Sequence, residues 1–82
     1  MSILDEAKAL VDGQRQEDYG DMNASFTRIA GLWSAYLGVP VSKFDVAKMM
    51  ILLKVSRSKH GNHFDSLCDC VGYIECIDRM LE

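Results

Sequence analysis

Proline occurs once in this chain, and no stretch alternates apolar and polar residues as a half-buried strand does. Basic residues are scarce: 9 Lys and Arg stand against 12 Asp and Glu, a formal charge of −3. General nucleic-acid binding needs a net basic surface to displace counterions, so it is not expected here. A local basic pocket stays open, because net charge does not say where the charges sit. Long apolar runs are missing too. The longest, Met49 to Leu53, stops at Lys54, far short of the ~20 residues that cross a bilayer. No membrane partner is therefore expected. Nor does a basic start followed by an apolar stretch mark a secretory signal. Cys68, Cys70 and Cys76 are an odd number, which suits free thiols in a reducing cytoplasm.

What is present is apolar side chain, 49% of 82 residues. A chain of this length makes one domain, spanning residues 1–82, and its core is only marginally stabilising alone. Excess apolar surface on so small a body is readily hidden against a second copy, so a homo-oligomer is expected. The fold class is all-α: a compact antiparallel bundle of about four helices joined by short connections.

The first helix is expected from Ile3 to Glu17, with Ser2 and Asp5 as its N-cap pair and Ile3, Leu4, Ala7, Leu10 and Val11 at helical spacing. Asp18-Tyr19-Gly20-Asp21 reads as a turn. A second helix begins at Met22 or Asn23 and ends at Gly38, a natural left-handed C′ residue. The third carries the clearest start signal. Ser42 can cap it, Asp45 can close the box, Val41 can staple onto Val46, and Pro40 holds the preceding chain extended. Its body from Phe44 to Val55 is apolar nearly all round, which predicts the buried centre of the bundle. The fourth runs from Phe64 or Asp65 to Met80, with Leu67, Cys70, Val71, Ile74, Ile77 and Leu81 as its inner face.

Two constellations could carry chemistry. Asp65 and Asp69 lie four apart, on one side of the fourth helix with Gly72 and Cys76. Such carboxylates can share a divalent cation, accept hydrogen bonds from ribose hydroxyls or base amines, or form a solvated acidic face. Lys54 and Arg57 share a stripe with Lys43 on the apolar third helix and need a partner or an exit to solvent. A phosphate is one partner; Asp65 or Asp69 is another. Arg15 and Tyr19 mark the exit of the first helix, where a tyrosine can stack on a base and an arginine clamp a phosphate. Trp33 reads as core or interface. Zinc at His60, His63, Cys68 and Cys70 is disfavoured, since residues two apart on a helix diverge by about 200°. No nucleophile with a matching base is evident.

Tyr19-Gly20-Asp21, Leu32-Trp33-Ser34-Ala35-Tyr36-Leu37-Gly38, Asp45 to Met50 through Lys54 and Arg57, and Asp65-Ser66, Asp69 and Gly72-Tyr73 resemble a family of small proteins of tailed phages and prophages, loosely labelled MazG-like. The label implies an all-helical, Mg²⁺-dependent pyrophosphohydrolase of nucleoside triphosphates in the cytoplasm of an infected bacterium. Its hallmark helices bear Glu-Glu-x-x-Glu and Glu-x-x-Asp. Here Glu17-Asp18-Tyr19-Gly20-Asp21 places a glycine where the first should continue, and Asp65 and Asp69 are wrongly spaced for the second. Two-metal chemistry wants several converging carboxylates, so no catalytic residue is assigned and no cofactor is expected outside that enzyme alternative. In size and expected oligomeric state the chain is also similar to phage proteins that sequester cyclic nucleotide or ADP-ribose immune signals uncleaved. That likeness implies a nucleotide-type ligand held by Arg15, Tyr19, Lys54, Arg57, Asp65 and Asp69. A small module that docks on a host protein is the third reading.

Overall fold

Local signals set the helix boundaries. At the start of the chain the Ser2 hydroxyl accepts the Asp5 amide at 3.2 Å and donates to the Asp5 carboxylate at 3.0 Å. In the computed structural model, which describes residues 2–12 and 22–81, α1 then spans Ile3–Asp12 and α2 Met22–Leu37. The expected remainder of the first helix, and the Asp18–Asp21 turn, lie outside the described residues. Gly38 stops α2 in the left-handed conformation, φ 73°, with its amide bonded to the Ser34 carbonyl. The Ser34 hydroxyl accepts the Val41 amide at 2.8 Å and donates to the Val41 carbonyl, pinning the connection.

Helix α3, Lys43–Ser56, opens on the expected capping box. The Asp45 amide donates to the Ser42 hydroxyl at 3.0 Å, and the Ser42 amide donates to the Asp45 carboxylate at 2.9 Å. Hydrogen bonding from Ser42, its backbone amide first, holds the Asp45 carboxyl below its usual range. Helix α4 spans Phe64–Met80. At its start His63 Nδ1 and the buried Ser66 hydroxyl share a 2.6 Å hydrogen bond.

The four helices pack together, and no strand occurs among the described residues. Helix α4 packs against both α3 and α1, while α2 packs against α3. The expected centre is therefore displaced. Val46 and Ala47 of α3 are fully buried, yet Leu52 is 67% exposed, with Met49, Leu53 and Val55 also open. Apolar periodicity reports which faces can be buried, not how many neighbours arrive to bury them.

The expected inner face of α4 is also corrected. Ser66, Cys68, Cys70, Gly72, Cys76 and Met80 are its buried residues, whereas Ile74 and Leu81 are exposed. Small side chains let two helices approach α4 from two sides. Toward α1, a Cβ on Gly72 would meet Val11 Cγ2 at 3.5 Å and the Ala7 carbonyl at 4.0 Å. Toward α3, the Cys70 thiol reaches the Ile51 carbonyl at 3.6 Å. Arg79 completes the α1 contact, bonding Asp12 at 2.6 Å and Glu75 at 3.0 Å. Both carboxylates raise its pKa further.

Candidate functional site

A cavity of about 310 Å³ opens among the four helices, near the lower end of the roughly 300–1,000 Å³ typical of small-molecule sites. Val46 and Met50 of α3 contribute apolar surface, as do Leu10 and Val11 of α1. Its aromatic lining comes from two helices: Phe26 and Trp33 of α2, and Tyr73 of α4. The Phe26 and Tyr73 rings lie 6.2 Å apart at 33°, a tilted pair. Helical spacing puts Phe26, Ile29 and Trp33 on one side of α2, so the face that would bury against a neighbour lines this space instead. Among the described lining residues the polar side chains are the buried Ser25, the exposed Arg28, Asp69 and Tyr73.

Asp69 is held by its neighbour across the helix pair. Lys54 Nζ lies 3.0 Å from Asp69 Oδ2, and both side chains are 13% exposed. Largely shielded from water, the ammonium orients the carboxylate at the cavity wall. The arrangement offers a hydrogen-bond acceptor set into a mostly apolar, aromatic surface.

Of the residues singled out from the sequence, Lys54 and Asp69 are brought together, and Asp69 reaches the cavity. Lys54 takes its internal partner, one of the alternatives its apolar surroundings left open. Asp65 and Arg57 are exposed and stand outside the lining; Arg57 serves as the C-cap residue of α3. Arg15 and Tyr19 lie outside the described residues. Gly72 and Cys76, expected on the same side of the helix as Asp69, are buried and line the cavity with it. Gly72 admits a neighbouring backbone rather than a ligand alone. Phe26, Tyr73, Ser25 and Arg28 were missed. Trp33 had been read as core or interface.

Burial raises the Cys68 thiol, with Glu6, Asp65 and Asp69 adding to the shift; burial likewise raises Cys70 despite Lys54 nearby. Both are held as protonated thiols. His63 engages Ser66, and no cluster of three or more His, Cys, Asp or Glu suited to a metal occurs among the described residues. None of the described helices is long and apolar enough to cross a membrane.

Residues 2–81 match DUF6378, a domain of unknown function. The chain belongs to that family. This DUF6378 chain is 45% identical over 82 residues to the Gene 55 protein of Mycobacterium phage D29, covering 99% of the chain and 54% of the relative. It is 46% identical over 82 residues to the Gene 55 protein of Mycobacterium phage L5, covering 98% and 53%. The DUF6378 chain thus spans about half the length of the phage proteins it matches. No solved structure matches it significantly.

Proposed function

We propose that this chain binds a phosphorylated, nucleotide-type small molecule in the cavity between its helices and releases it uncleaved. The observation that carries the reading is the cavity lining: aromatic side chains with Asp69 fixed beside them by Lys54. Phe26, Trp33 and Tyr73 suit the face of a base. Asp69 suits an exocyclic amine or a ribose hydroxyl. Arg28, an exposed cation on the lining, suits the phosphate. Its role replaces the one expected for Arg57, which stands away from the cavity.

Binding without cleavage is favoured by the donor set. A MazG-like pyrophosphohydrolase would place several carboxylates around Mg²⁺. Among the described lining residues Asp69 is the carboxylate, and Lys54 already neutralises it. These residues do not fit a two-metal centre. A captured host nucleotide signal, such as a cyclic nucleotide or an ADP-ribose derivative, would suit a family with phage members.

The test is a thermal-shift panel of nucleoside phosphates and cyclic nucleotides, with and without Mg²⁺, followed by chromatography of the recovered compound. A compound that raises Tm, returns intact and loses its effect in Asp69→Asn and Arg28→Ala supports the reading. A nucleotide returned as its monophosphate overturns it in favour of hydrolysis. A panel without any shift overturns it in favour of a protein-docking module.

A further inference from the structure

The outer side of α3 is an apolar surface that this chain leaves uncovered. At ~100° per residue, Met49 and Val55 fall within about 60° on either side of Leu52, with Asp45, Lys48 and Ser56 inside the same arc. Met49 is 40%, Val55 51% and Leu52 67% exposed. On the opposite side Val46 and Ala47 are completely buried. A helix apolar on both sides calls for cover on both, and α2 and α4 supply it on one.

We propose that this surface pairs with itself: α3 of one copy against α3 of a second, antiparallel, about a two-fold axis near Leu52. Two-fold pairing requires one patch to complement itself. With Leu52 on the axis, Leu52 meets Leu52 and Met49 meets Val55, with Lys48 facing Ser56 beside them. The charged residues fit only the antiparallel arrangement. Asp45 stands in the first turn of α3, while Arg57 and Lys59 follow its end, all exposed. The antiparallel axis brings the acidic start of each α3 toward the basic segment that follows the other. A parallel pair would set like against like. The helix dipoles agree, since antiparallel packing puts each N-terminus beside a C-terminus.

Pairing through α3 is independent of whether the cavity takes a ligand.

Sedimentation equilibrium of the wild-type chain and of Leu52→Glu reads this directly. The wild type should show twice the chain mass, and Leu52→Glu should weaken association by at least about thirtyfold, as for a central interface residue. To keep the test independent of that variant's folding, Leu52→Cys should crosslink to itself through a short bis-maleimide. Tyr36→Cys, on α2 and 89% exposed, should not. A wild type that stays monomeric overturns the proposal and points to another cover, such as the additional chain of the longer relatives. A dimer that crosslinks through Tyr36→Cys but not Leu52→Cys overturns it in favour of a different face.

Discussion

Helices α3 and α4 divide the work of the bundle in a way their compositions conceal. Helix α3 has the larger side chains, Met49, Met50, Ile51, Leu52 and Leu53 in succession, yet only Val46 and Ala47 are buried. Helix α4 has serine, cysteine and glycine at its buried positions and takes a neighbour on each of two sides. Burial here follows from how closely another backbone can approach, and small residues permit that approach. Large apolar residues on α3 mark surface able to be covered; small residues on α4 mark surface that is covered.

The largest effect is expected where the two helices meet. Lys54→Ala leaves the Asp69 carboxylate without its ammonium in a site only 13% exposed. Removing one member of a buried pair costs about 3 kcal/mol, toward the low end because some water still reaches it. Urea unfolding of Lys54→Ala should show a matching fall in midpoint. A loss below half a kcal/mol, the usual range for a surface change, would mean that the pair is solvated and that α3 and α4 meet through apolar contact alone.

Next come substitutions that pit volume against approach. Gly72→Leu forces a branched side chain against Val11 and the Ala7 carbonyl, and such overpacking costs about 1–3 kcal/mol. Gly72→Ala adds a Cβ at ordinary contact distance, 3.5 Å from Val11. It should be neutral or stabilise by up to ~1 kcal/mol through helix propensity. If both variants unfold at the same denaturant concentration, close approach of α1 is not what Gly72 provides. On α3, Val46→Ala opens a cavity at a completely buried position and should cost about 2 kcal/mol. Leu52→Ser, measured at concentrations where the chain is monomeric, should change stability by less than ~0.5 kcal/mol. Equal losses from the two α3 variants would erase the distinction between its faces.

These contrasts also explain what could be read from the residues alone. Gly38 and the Ser42–Asp45 pair act within a few residues of themselves, so their roles were visible in order and spacing. Lys54 was recognisable because a cation in an apolar helix needs a partner, and Asp69 was among those available. The inner face of α4 was only partly read: Cys70 was placed on it, but ranking positions by apolar bulk favours Ile74 over Cys68 or Gly72. The central place given to α3 failed because its neighbours are a property of the whole packing. The cavity was the least legible feature. Phe26 and Tyr73 come from different helices and meet only after α2 and α4 have both docked on α3, a relation no local spacing records.

The smallest effect concerns the start of α3 and separates its local from its tertiary support. Asp45 accepts the Ser42 amide, and this hydrogen bond, with that from the Ser42 hydroxyl region and weaker attraction to Lys48, lowers its folded pKa below the ordinary 3.8. A lowered carboxylate pKa adds stability that is fully present above the unfolded value. That contribution is lost as pH falls through the lower, folded one. The wild type should therefore lose stability on acidification below about pH 4 more steeply than Asp45→Asn, which carries no titrating group there. Ser42→Ala, which removes the reciprocal cap, should cost ~1 kcal/mol at neutral pH and flatten the same acid limb. Parallel acid limbs for wild type and Asp45→Asn would show that burial of Val46 and Ala47, rather than the capping box, fixes where α3 begins.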